Sequence, residues 1–286
     1  MTPTLVRQRL PRAGSAPRVD QCARARDWAE IQERMLVPLY EAVYRRLDVG
    51  AGTRLLGLGC GSGLALLMAA SRGAAVTGVD ASSPERMTLA RERLLPGGWG
   101  APTRVDARVV DGAPEDAAGA PGDPPYNLVT AFEPIGCLAG DSEGLGELLT
   151  AATPLAEHGT PVVLAGWGPP ERCTTSGVLR VAMKLADRVH GTGSWRPALR
   201  DDLEEVAQRA GLKPDGSGRV ACPFGYANVD NAVRGLLSTG LFDAAIAATD
   251  QDQVDKEVAE ALQPHRRHDG TVWMPNVFRY LIARTP

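Results

Sequence analysis

The 286-residue sequence predicts an α/β fold, a mostly parallel sheet with helices on both faces. Three observations predict it. Short, near-continuous apolar runs alternate with helical patterns, as strands buried on both faces of a parallel sheet do. A glycine-rich loop joins the first of these strands to the helix that follows. The second strand ends on an acid, Asp80, about twenty residues beyond that loop, as in nucleotide-binding folds.

The elements follow in order. Residues 23–48 have helical periodicity, with Trp28, Ile31, Met35, Leu39, Val43 and Leu47 spaced by three and four. Pro38 is expected to kink or divide this segment, because its ring clashes with the preceding turn. Strands are expected at 54–58, 74–80, 105–110, 126–132 and 160–167. Helices are expected at 62–72, from the Ser82-Ser83-Pro84 cap to about Leu95, and at 142–156. After Gly168 the rhythm changes. Residues 171–190 read as an extra helix, 199–210 as the helix following the fifth strand, and 229–263 as helical. Segments 219–227 and 272–284 read as two final strands.

This predicts a flexible leader over 1–22, rich in Pro, Arg and Ser, and one domain over 23–286. Within that domain, 23–48 form cap helices and 53–168 the core. Helical insertions at 169–197 and 228–270 cover the substrate.

Composition excludes several classes. Lys and Arg total 31 against 34 Asp and Glu, a net charge of −3, without the clustered positive charge that nucleic-acid binding requires. Five cysteines and no CxxC pair argue against a disulfide framework or a thiolate zinc site, and fit a reducing cytoplasm. No apolar run approaches the roughly 18 residues that span a bilayer, and the first residues lack a signal peptide's apolar core.

The loop Leu55-Leu56-Gly57-Leu58-Gly59-Cys60-Gly61-Ser62-Gly63 carries the chemistry. Glycines let a backbone turn sharply against a ligand, and the helix start adds free N–H groups. The dinucleotide fingerprint GxGxxG fits poorly, since Leu64 or Ser62 falls on its last position. The spacing is GxGxG, through Gly59, Gly61 and Gly63. Asp80 can accept hydrogen bonds from ribose hydroxyls.

Taken together, LLGLGCGSG, VTGVDAS, RVVDGAPEDA and YNLVTAFEPIG resemble the successive motifs of bacterial small-molecule class I S-adenosylmethionine-dependent methyltransferases, the type 11-like branch, over about residues 25–170. The resemblance implies a Rossmann-like, seven-stranded, mostly parallel sheet. S-adenosylmethionine would lie at the C-terminal strand ends, with the substrate beneath a helical cap. It implies that Gly59, Cys60, Gly61 and Gly63 line the methionine portion, that Asp80 holds the ribose, and that Ala81 flanks the adenine. Gly112 and Ala113 fall where the family has an acid and a small residue beside the adenine amino group. Asp111 or Glu115 are the candidates to replace that acid. Phe132 and Glu133 fall beside the methionine ammonium and the reactive methyl. The family's acid on the first strand is Gly57 here, and Glu133 is the expected compensation.

Asp123-Pro124-Pro125-Tyr126 imitates a motif of methyltransferases that act on flipped DNA bases. Here it precedes the fourth strand, at the end remote from the cofactor, and reads as a loop.

Methyl transfer from a sulfonium needs alignment first, and a base only where the acceptor must lose a proton. Glu133, Tyr40 and His190 are the catalytic candidates, with Tyr44 and Asp27 as further bases. His158, His265 and His268 read as surface residues, and no metal is expected. Trp28, Tyr40, Tyr44, Trp167 and Trp195 are the candidate substrate contacts, which suggests a flat, aromatic specialised metabolite. No nucleic-acid or membrane partner is expected, and a homodimer stays open. The alternative is a protein of this fold that binds the cofactor or its product without methylating.

Overall fold

The computed structural model describes residues 20–95, 106–138, 140–190 and 199–286. Helix α1 (Gln21–Asp27) starts at Asp20, whose carboxylate accepts from the Cys22 and Ala23 amides. Gln21 and Cys22 thus lie in the helix. The segment then loosens into a π turn (Trp28–Gln32) and a 3-10 turn (Glu33–Leu36) before α2 (Val37–Arg46). Pro38 sits in the first turn of α2, where a missing N–H costs nothing, so the irregularity falls upstream of it.

The core runs β1 (Arg54–Leu58), α3 (Leu64–Ala70), β2 (Ala75–Asp80), α4 (Pro84–Leu94), β3 (Ala107–Asp111), β4 (Leu128–Ile135), α5 (Asp141–Ala152) and β5 (Pro161–Trp167). There follow α6 (Thr175–His190), α7 (Asp202–Arg209), β6 (Lys213–Ala221), β7 (Phe224–Tyr226), α8 (Val229–Leu237), α9 (Asp243–Ala248), α10 (Gln251–Leu262), β8 (Val272–Met274) and β9 (Val277–Arg284).

Seven strands form one sheet in the order β3-β2-β1-β4-β5-β9-β6, parallel except that β9 runs antiparallel to both its neighbours. The two expected final strands are each divided. Cys222 and Pro223 separate β6 from β7, Pro275 and Asn276 separate β8 from β9, and β7 pairs with β8 in a small separate sheet. β6 also begins earlier than its apolar residues suggest, at Lys213.

Alternation along each strand gives two cores. Leu55, Val76, Leu128 and Val163 point to one face, with α2, α3 and the cap; Leu56, Val129, Val162 and Leu164 point to the other, with α5 and α7. The cap packs α6 on α9 and α10, and α8 against the π turn. At the C-terminal strand ends, β1 meets β2 and β4 side by side, the switch point at which open α/β sheets place ligands. Among the described residues, no helix is long and apolar enough to cross a membrane.

Candidate active site

The turn after β1 is built on left-handed glycines. Gly59, Gly61 and Gly63 have φ of 58°, 55° and 80°, where an ordinary side chain is strained. The Cys60 amide donates to the Val79 carbonyl at 3.3 Å, and Gly63 closes the turn on Cys60 at 2.9 Å. Asp80, at the end of β2, is buried and locks this turn from below. Its Oδ2 accepts from the Gly61 amide at 3.0 Å, and its Oδ1 accepts from the amide and hydroxyl of Ser82 at 2.7 and 2.6 Å.

Above the turn lies a narrow crevice that leaves about 30 Å³ of free space for water-sized guests. The structure brings Trp28, Tyr40, Gly59, Cys60, Gly61, Phe132 and Glu133 to its wall. Burial pushes the Cys60 thiol up to about 12, so it stays protonated and unreactive. Tyr40 is buried, and burial followed by the nearby Glu33 carboxylate holds its hydroxyl well above the usual phenol value. It can donate a hydrogen bond and is unsuited to act as a base at neutral pH. The Phe132 ring packs on Tyr40 and Tyr44, at 4.8 and 5.7 Å between centroids.

Glu133 owes its position to an irregularity in β4. Between Ala131 and Ile135 the register against β5 shifts, since Leu164 to Gly166 is the matching step. Such a bulge re-aims a side chain out of the ladder. Glu133 keeps an exposed face in the crevice, yet protein crowds it, and the lost solvation raises its pKa against the opposing pull of Arg86.

The other expected residues lie elsewhere. Ala81, Gly112 and Ala113 border the ends of β2 and β3, where the Gly112 amide donates to the Asp80 carbonyl at 3.3 Å. The Asp116 carboxylate accepts from the Ala113 amide at 2.9 Å. Tyr44 is a core residue whose hydroxyl donates to the Ala65 carbonyl at 2.9 Å, which removes it from the crevice wall. Trp167 packs on Phe278 and Phe224, at 4.6 and 5.9 Å, in a separate aromatic cluster. Asp27 pairs with Arg234. The side chain of His190 and the whole of Trp195 lie outside the described residues. Tyr126 enters β4 at its other end, where its hydroxyl donates to Ala117, remote from the crevice.

Two residues absent from the expected site complete it. Glu33, 3% exposed, enters from the 3-10 turn. Its carboxylate accepts from the Ser62 hydroxyl, from Arg93 Nη1 at 2.7 Å and from the Leu64 amide at 3.4 Å. It thus caps α3 and steadies the glycine turn. Arg86, from α4, lies over the Trp28 ring at 4.3 Å and donates to the Ser238 carbonyl at 2.7 Å. Charged residues inside an amphipathic pattern read as a solvated face, so neither stood out.

Gly57 itself is crowded by Leu66. A Cβ there would come within 2.8 Å of Leu66 Cδ2. Gly57→Asp is expected to destabilise by about 1–3 kcal/mol through overpacking, with Leu66→Ala reducing that penalty in the double variant. Urea midpoints check this; a stabilised Gly57→Asp protein would contradict it.

No known family model matches the sequence, and no curated protein does. Solved structures share its fold. A SAM-dependent methyltransferase from Thiobacillus denitrificans, in complex with S-adenosyl-L-homocysteine, is 18% identical, with 95% of this chain and 100% of that one covered at a TM-score of 0.51. YjhP from E. coli is 18% identical over 92% of this chain and 99% of its own, TM-score 0.51. YcgJ from Bacillus subtilis is 14% identical over 86% and 98%, TM-score 0.51. With its strand order, its single antiparallel strand and its glycine turn beside Asp80, the chain has the fold of the class I S-adenosylmethionine-dependent methyltransferases.

Proposed function

We propose that the protein transfers the methyl group of S-adenosylmethionine to a small, aromatic specialised metabolite. One observation carries the reading. The left-handed glycine turn is held by the Asp80 carboxylate and opens on the same crevice as Glu133 and Tyr40.

The residues present suit the cofactor's groups. A carboxylate offers about four acceptor positions, and Asp80 uses three on the protein, which leaves one for a ribose hydroxyl. Ser82 is exposed and can yield another. Glu133 makes no hydrogen bond among the described residues, which leaves its carboxylate open to the acceptor. The Trp28 indole nitrogen is buried without a partner beside Gly61.

Bound there, the cofactor supplies a methyl group on a sulfonium, already activated for in-line displacement. The chain's own work is to align the acceptor, exclude water and manage its proton. Tyr40 donates to the acceptor and keeps its own proton. Glu133 takes the acceptor's proton, and its raised pKa brings it closer to that task than an ordinary carboxylate. Because crowding favours the neutral carboxyl, ionising Glu133 costs stability as pH rises from the usual carboxylate range through the raised value. Activity follows the opposite sign and rises over that interval.

The test is methyl transfer from labelled S-adenosylmethionine to a panel of phenols, indoles and aromatic amines. Turnover of at least one aromatic acceptor is expected. Glu133→Gln should lower kcat by about 10²- to 10⁴-fold and flatten the acid limb of the pH profile. An unchanged limb would reject Glu133 as the base. Cofactor binding without turnover of any acceptor would favour the binding-only alternative.

A further inference from the structure

Two side chains at the crevice have donor capacity to spare: the Trp28 indole N–H has no acceptor, and Arg86 makes one hydrogen bond. Trp28 Nε1 is the one buried side-chain polar atom without a partner among the described residues. It points toward Gly61, whose added Cβ would lie 3.3 Å away. Arg86 stacks on the same indole with its guanidinium carbon 4.3 Å from the ring centre. It gives one N–H to Ser238 and forms no ion pair within the described residues. Burial pushes its pKa down, the mark of a cation short of solvent.

The nearby carboxylates do not meet this need. Asp80 is bound to Gly61 and Ser82, and Glu33 to Ser62 and Arg93. Glu133 attracts Arg86 across the crevice without a hydrogen bond. A buried donor without an acceptor is costly, and a guanidinium beside an indole N–H matches the two oxygens of a carboxylate. Glu133 Oε2 lies 3.5 Å from the position a Cβ would take at Gly59.

We propose that Trp28 and Arg86 form a carboxylate seat that takes the amino-acid end of the bound cofactor. The inference rests on the reading of the crevice as the cofactor site. Trp28 then has two duties. Its ring carries Arg86 and closes the crevice, and its N–H fixes the ligand. The N-terminal segment is accordingly part of the binding site as well as of the cap.

The test compares two ligands that differ at this end. S-adenosylhomocysteine carries the amino-acid group and 5′-methylthioadenosine lacks it. Trp28→Phe keeps a ring and removes only the donor; Arg86→Gln removes the charge. Each variant should bind S-adenosylhomocysteine about 10-fold more weakly by calorimetry and bind 5′-methylthioadenosine as the wild type does. Thermal melting of the free proteins confirms that each is folded. Unchanged S-adenosylhomocysteine affinity in both variants overturns the seat, and so does an equal loss for both ligands. If the wild type binds neither ligand, the cofactor reading itself falls, and the seat with it.

Discussion

Asp80→Ala is expected to weaken S-adenosylhomocysteine binding by at least about 100-fold, the largest effect of any single substitution in the site. Two losses combine. A charge-assisted hydrogen bond to a ribose hydroxyl contributes about 1.5–3 kcal/mol. Asp80 also holds the Gly61 amide at 3.0 Å and Ser82 through both its amide and its hydroxyl. Without it, the glycine turn loses the contact that fixes its shape, and a buried N–H is left unsatisfied. Asp80→Asn keeps the size and one acceptor oxygen and should fall between wild type and alanine. Calorimetric titration of the three proteins measures the series. Equal affinity in all three would remove Asp80 from the binding site.

Glu33→Ala is expected to cost about 3–5 kcal/mol of folding stability, as removal of one member of a buried ion pair does. Glu33 is 3% exposed, and its carboxylate joins three elements: the N-terminal turn, the start of α3 through Ser62 and Leu64, and α4 through Arg93. Arg93 also donates to the Ser62 and Ala29 carbonyls, so it cannot simply swing to solvent. Glu33→Gln keeps the shape and should lose less. Because the partners share one network, Glu33→Ala with Arg93→Ala should cost less than the sum of the single changes. Urea denaturation provides all these values. A Glu33→Ala midpoint near wild type would show that the network adds nothing to the fold.

The parts legible in the sequence were those where local chemistry and global fold agree. Strands β1, β2, β4 and β5 are buried on both faces, so their apolar runs were unambiguous. The Gly59-Gly61-Gly63 turn could be recognised because glycine takes those backbone angles without strain. β6 was harder: Lys213 to Gly218 is polar and glycine-rich at the sheet's edge, where one flank has no neighbour to demand apolar residues. Tyr40 and Tyr44 share a helix and a periodicity, and only the packing separates the crevice wall from the core. Glu33, Arg86 and Arg93 were invisible for a related reason. Helical spacing does not distinguish a charge that faces water from one drawn inward by a partner distant in sequence. The compensation for Gly57 was expected from Glu133 alone, on a neighbouring strand. Glu33 reaches the same turn through the loosened helix ahead of Pro38, a path that periodicity does not reveal.

Titrating the wild-type protein with S-adenosylhomocysteine by calorimetry tests most directly whether the crevice above the glycine turn is a cofactor site. One saturable site per chain with micromolar affinity is the predicted result. Absence of heat and of thermal stabilisation at millimolar ligand would contradict it.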